Sequence, residues 1–264
     1  MSRIGAVYSR KRASTLLSLQ FASNVEFQSN TKAEEKRALR LSAGQFTRII
    51  KITRATSRYA SRDGLVLMLG HHCGLRVTEI SRITVADVMQ ASGKLRQEVS
   101  LREAVTKGCR QRCTYLPSRG LLDALEAYLA YRLAPDIGTE LDASRYHGLP
   151  PHQPLIYSGG GAALSQNTKR RMMETGKQRD YKACDSLQSH ITTLYKRASI
   201  KGSSHSGRRG FAGKVLAATG DMDTLAVLRG HSSSFASAFN VKNLFKEHGF
   251  FNGGHLIYGL PYGN

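Results

Sequence analysis

The sequence predicts an α+β protein, mainly α-helical, with one small antiparallel sheet. Three observations predict it. Apolar residues recur at helical spacing in several segments, most clearly after Ser57 and after Ser118. Between those two segments lie short, turn-bounded stretches with strand-like alternation. Hydrophobic residues make up 41% of the 264 positions and aromatics 8%, enough to bury a core and too many for a disordered basic tail.

Taken in order, residues 1 to about 40 are polar, basic and rich in Ser, Arg and Lys, with only Leu16 to Phe21 looking foldable. They read as an arm suited to wrapping a phosphate backbone. Ser42 to Ile52 forms a candidate helix and Ser57 to His71 a second, whose apolar face holds Leu65, Val66, Met68 and Leu69. Gly74 breaks this pattern, and Val77 to Arg82 resumes it briefly. Ile83 to Met89, Lys94 to Val105 and Arg112 to Leu116 read as strands, with turn signals at Ala91-Ser92-Gly93 and Lys107-Gly108. Ser118 then caps an amphipathic helix carrying Leu121, Leu125, Tyr128 and Leu129 on one side.

Pro135 to Gly161, rich in Gly and Pro, reads as a long surface excursion. Its Gly159-Gly160-Gly161 is not a phosphate-binding loop, because no Lys-Ser/Thr pair follows. Helices are expected again near Thr168–Glu174, Ser186–Ala198, Ser206–Ala218 and Asp221–Leu228, the third ending at Gly220. The organisation that follows is a basic N-terminal arm over 1–54, a main domain over 55–235 and an atypical tail over 236–264. Arg disappears after Arg229, and Phe235, Phe239, Phe245, Phe250 and Phe251, five of the nine Phe residues, all fall after it.

Charge narrows the partner. Lys plus Arg total 39 and Asp plus Glu 19, giving a formal net charge of +20. Such a field suits a polyanion, and double-stranded nucleic acid releases condensed counterions when Lys and Arg neutralise its phosphates. A membrane surface fits less well, since no strongly amphipathic basic helix stands out and the longest apolar run, Gly64 to Gly70, is too short to cross a bilayer. No apolar stretch follows the basic N-terminus, so no signal peptide is expected. Four cysteines are too sparse for a disulfide framework. Cys109 and Cys113 with His71 and His72 lack the paired spacing of a zinc module, so reduced thiols, no metal and a cytoplasmic setting are expected.

Three windows carry candidate chemistry on a phosphodiester, where positioning and charge stabilisation by Arg forks and His donors do most of the work. In Gly74-Leu75-Arg76-Val77-Thr78-Glu79-Ile80, Arg76 sits just past a turn and Glu79 lies one helical turn on, placed to orient the guanidinium. In His205-Ser206-Gly207-Arg208, the His and Arg share one helical face. Leu228-Arg229-Gly230-His231-Ser232-Ser233 places His231 beyond a helix end. Each window has an ordinary structural reading on its own: a capping Arg, a basic helix start, a helix C-terminus.

Together and in this order, the windows resemble those of the tyrosine recombinases, the family of phage-type integrases and Xer-like resolving enzymes. His205-Ser206-Gly207-Arg208 is similar to the family's His-x-x-Arg box, and Leu228-Arg229-Gly230-His231-Ser232 to its Leu-Gly-His-Ser box. Val105-Thr106-Lys107-Gly108, followed by Arg112 and Leu116-Pro117, is similar to its Lys-bearing β-hairpin. The resemblance covers roughly residues 55–235 and implies the family's catalytic-domain fold there, at most a reduced DNA-clamping segment over 1–54, and DNA recombination and integration by mobile elements. It also implies self-association on DNA, and neither a cofactor nor a small-molecule substrate. By motif, Arg76 and Arg208 clamp the scissile phosphate, His205 and His231 bond its oxygens and assist proton transfer, and Lys107 protonates the departing 5′ oxygen. A Tyr hydroxyl makes the 3′-phosphotyrosyl link in the family.

The sequence departs from this pattern at the nucleophile. Alignment on His231 puts Asn240 where the Tyr is expected, with Phe239 before it, and neither side chain can form the link. Tyr258 and Tyr262 lie further on and would have to fold back or reach a neighbouring subunit. The readings that follow are a site-specific recombinase or integrase, a non-catalytic DNA-binding relic or regulator that keeps the phosphate pocket, and, third, a type IB topoisomerase. The loss of Arg, gain of Phe and loss of Tyr arrive together, which fits a frameshift or inserted element soon after His231. Translating the other two frames of the gene downstream of His231 is expected to reveal an Arg-containing segment with Tyr at the aligned position. Its absence from both frames would rule the frameshift out.

Overall fold

The structure is a computed structural model, and it describes residues 40–106, 111–134, 143–172 and 176–222. Helix α1 (Ala43–Thr56) starts at a reciprocal cap. The Ser42 hydroxyl accepts from the Gln45 backbone N–H at 3.2 Å, and the Gln45 side chain accepts from the Ser42 N–H at 2.9 Å. Its buried residues, Phe46, Ile49, Ile50 and Thr53, form one stripe at i, i+3, i+4 and i+7. That stripe packs on α2 (Ala60–His72), so the part of the 1–54 segment from Ala43 onward joins the core.

Helix α2 is the centre of the fold. Every residue from Arg62 to His72 is buried, which is what an element covered on all sides requires. It contacts α1, then α5 (Arg119–Leu133) and α7 (Ser204–Thr219). The approach to α7 is close because glycines face each other: a Cβ at Gly207 would lie 3.1 Å from the carbonyl carbon of Gly70.

Two short helices follow, α3 (Val77–Ile80) and α4 (Val85–Val88). The sequence suggested a strand over Ile83–Met89. Instead the Asp87 carboxylate accepts from the Thr84 N–H at 2.8 Å and its hydroxyl at 2.9 Å, a local cap that closes a helical turn. Strands β1 (Glu98–Leu101) and β2 (Arg112–Tyr115) then pair antiparallel, Glu98 facing Tyr115 and Leu101 facing Arg112, inside the two segments expected as strands. Ser118 caps α5 by accepting from the Leu121 N–H at 3.3 Å, and Leu121, Leu125, Tyr128 and Leu129 are buried as expected.

The second half corrects the sequence reading twice. The described part of the expected surface excursion, from 143, runs into the core: Leu149, Leu155, Ile156 and Tyr157 are buried. Arg132, itself fully buried on α5, holds the segment by donating to the carbonyls of Pro154 and Leu155, both at 3.2 Å, and by stacking over Tyr157 at 4.3 Å. A sequence rule cannot see a buried Arg that supplies backbone partners. The helix expected near Thr168 is instead strand β3 (Asn167–Met172), paired antiparallel with β4 (Gln178–Ala183). Asn-Thr-Lys-Arg-Arg-Met has no apolar stripe for a helix to bury, and its backbone is satisfied across the ribbon. The described residues therefore contain two separate two-stranded sheets in place of one.

Helix α6 (Asp185–Arg197) buries Leu187, Ile191, Leu194 and Tyr195, and α7 ends at Gly220 in the left-handed conformation, both near the expected positions. The expected helix over Asp221–Leu228 lies outside the described residues from 223 onward. Among the described residues no helix is long and apolar enough to cross a membrane.

One buried cluster makes stability pH-dependent. His71 stacks on Phe46 with centroids 3.7 Å apart, His72 meets the same ring edge-on, and Lys214 from α7 lies over it at 5.8 Å. Burial, with help from the Lys214 charge, pushes His71 down to about 2 and His72 down to about 3. Both are neutral in the folded state down to those values, whereas the unfolded chain takes up their protons below about 6.5. Stability is therefore expected to fall as pH drops below 6.5, by about 1.4 kcal/mol per pH unit for each histidine. Urea midpoints measured between pH 7 and pH 4.5 test this, and a flat profile would contradict it.

Candidate active site

The site grows out of the turn that ends α2. Gly74 has a φ of +62°, a left-handed value that L side chains rarely adopt, and any Cβ there would run into the Phe211 ring on α7. This turn delivers Arg76 in extended conformation to the start of α3. Its backbone N–H donates to Glu79 Oε2 at 2.7 Å, and its Nη1 to Glu79 Oε1 at 2.8 Å. The sequence reading gave Glu79 this orienting role.

Glu79 also takes a partner that sequence reasoning missed. Arg112 on β2 donates through Nη2 to Glu79 Oε2 at 2.6 Å, and both side chains are buried. Only the placement of Arg112 just after the Lys-bearing turn hinted at it. Burial by itself would raise the Glu79 carboxyl, but the two guanidiniums and the Arg76 N–H outweigh it and hold the group below the ordinary carboxylate range. A further bond, Thr114 Oγ1 to the Cys73 carbonyl at 3.1 Å, ties β2 to the same turn.

Arg208 arrives from the far end of the chain. It lies on α7, 5% exposed, and its Nη1 donates to the carbonyl of Gly74, two residues before Arg76. His205 is exposed one turn earlier on the same helix, its N–H donated to Ser203 Oγ at 3.3 Å. Three guanidiniums thus gather around the turn from Gly74 to Glu79, Arg76 part exposed at 23% and Arg112 and Arg208 buried. Rigid, charge-bearing donors of this kind suit an oxyanion such as a phosphate. Lys107, His231, Asn240, Tyr258 and Tyr262 lie outside the described residues.

A mainly helical domain with small antiparallel sheets is what the tyrosine recombinase motifs implied, and the chain belongs to that class: it is a member of the phage integrase family, whose sequence profile matches residues 40–237. Among solved structures it is similar to XerA recombinase, with a TM-score of 0.51, 16% identity and coverage of 84% of this chain and 66% of that one. It is also similar to XerH site-specific recombinase bound to a palindromic difH substrate in a post-cleavage complex, with a TM-score of 0.50 and 16% identity. That match covers 81% of this chain and 54% of the other. The chain therefore spans about two thirds of XerA and about half of XerH, and at these identities the likeness is one of fold. No curated protein matches it.

The Glu79 hub makes a direct prediction. Glu79→Ala strands the buried Arg112 guanidinium without its carboxylate and releases Arg76 from its place. Loss of a buried ion-pair partner is expected to cost about 3–5 kcal/mol in denaturant unfolding. Glu79→Gln, which keeps one acceptor oxygen, turns the other into an NH2 donor and carries no charge, is expected to fall between that variant and the parent. Equal stability of Glu79→Ala and parent would remove the hub.

Proposed function

We propose that this protein binds double-stranded DNA and holds one backbone phosphate between Arg76 and Arg208 for site-specific strand cleavage and rejoining of the integrase kind. The observation that carries the reading is the bond from Arg208 to the Gly74 carbonyl, which brings two arginines from distant parts of the chain to one turn. Two guanidinium forks at one phosphate offset the negative charge that builds on its non-bridging oxygens in the transition state. In this reading His205 and His231 bond those oxygens and Lys107 gives a proton to the departing 5′ oxygen. A tyrosine oxygen bonds to phosphorus as the bond to the 5′ oxygen breaks, and the tyrosine proton passes to a nearby base. The products are a 3′-phosphotyrosyl link and a 5′-hydroxyl, and attack by the 5′-hydroxyl of another strand reverses the step. Tyr258 and Tyr262 are the candidate nucleophiles, acting in their own site or in that of a neighbour assembled on the same DNA.

A second reading rests on Asn240. With Asn at the aligned position, the pocket binds DNA without cutting it, as a relic or a regulator. A nicked suicide duplex, whose cleaved end diffuses away, separates the two. A covalent protein–DNA adduct that maps to Tyr258 or Tyr262, and disappears in Arg208→Ala, is the outcome expected of the recombinase. Intact DNA binding with no adduct at any Tyr establishes the binding-only reading. In either case Arg208→Ala is expected to weaken binding, and unchanged affinity and cleavage in that variant would take Arg208 out of the site.

A further inference from the structure

The β3–β4 ribbon has no part in the phosphate site, yet it is the most basic exposed element of the described fold. Residues 167–183 hold six Lys or Arg against two Asp or Glu. All six residues of β3 are exposed, as are Gln178, Asp180 and Lys182 on β4. A two-stranded ribbon exposed on both faces gains little from burial, so its stability does not explain its presence.

Its charges are arranged in two tiers. Near the base, Lys169 pairs with Asp185 at 2.6 Å, and on the other face Arg170 pairs with Asp180 at 2.9 Å. Lys182 donates to Thr168 Oγ1 at 2.7 Å. Arg171 and Lys177, further out, make no ion pair among the described residues.

The ribbon's root lies beside the Arg76 turn. Gln166, the residue before β3, donates through Nε2 to Ser81 Oγ at 3.0 Å, and Ser81 ends the helix that Arg76 begins. β4 also lies against α3. Six residues at about 3.4 Å each reach roughly 20 Å from that root, a little over half of a ~34 Å turn of duplex. A two-stranded ribbon also fits the major groove, about 12 Å wide.

We infer that the β3–β4 ribbon is a second DNA-docking element, which grips the duplex flanking the bound phosphate through Arg171, Lys177 and Lys182. The inference rests on the DNA-binding reading above and adds a surface to it. Its occupant is duplex backbone, as the charge complementarity requires. Base-specific contact is not part of the claim.

The test uses the full chain and a duplex of arbitrary sequence. Log affinity is measured against log salt for the parent, for the triple variant Arg171→Gln, Lys177→Gln, Lys182→Gln, and for a charge-matched control. The control is Arg48→Gln, Lys51→Gln, Lys196→Gln, three exposed cations on α1 and α6. Each phosphate contact contributes about 0.9 to the slope, so the ribbon triple is expected to be shallower than the parent by about 2–3. The control is expected to stay within about 1 of the parent, and circular dichroism to show all three folded. A ribbon triple with the parental slope, or a control that loses as much as the ribbon triple, overturns the ribbon and leaves DNA binding standing. A parent with no salt-dependent binding overturns the DNA-binding reading itself.

Discussion

The structure around the candidate site depends on one buried carboxylate. Glu79 is fully buried, and its two oxygens are taken by Arg76 on one side and Arg112 on the other. A buried carboxylate without such partners would be protonated or expelled. With them it fixes the start of α3, orients Arg76 and locks β2 against the turn. The guanidiniums of Arg76 and Arg112 are therefore held in place by interior ion pairs.

The second constraint is steric. Gly74 turns the chain in a conformation that favours glycine, and the Phe211 ring occupies the space a side chain would need. That ring sits one turn after Arg208 on α7, so the contact that positions the helix also positions the guanidinium that bonds the Gly74 carbonyl. At Gly207 the backbones of α2 and α7 approach closely enough that a methyl group would press on Gly70. Small residues at these crossings set where the arginines stand, and the same α7 brings Lys214 over Phe46 beside the two buried histidines.

Much of the fold was legible in the sequence. The helices at Ala43–Thr56, Ala60–His72, Arg119–Leu133, Asp185–Arg197 and Ser204–Thr219 all carry either an apolar stripe or a cap that local periodicity reveals. The failures share a cause. Thr84 and Asp87 turned an apparent strand into a helical turn through side-chain bonds. Asn167–Met172 has no periodicity to read, and its pairing with β4 depends on a partner strand. Residues 149–157 looked like surface because they are rich in Gly and Pro nearby, whereas Arg132 draws them inward.

For the site, the sequence by itself determined the residue types and their local geometry: Arg76 with Glu79 one turn on, and His205 with Arg208 on one helical face. Only the tertiary structure decided that Arg112 shares Glu79 across 33 residues and that Arg208 reaches Gly74 across 134. The physical reason is that helix caps and i,i+3 pairs are set within a few residues of chain. Ion pairs between elements depend on how those elements pack, and here that packing is set by α2, buried on every side.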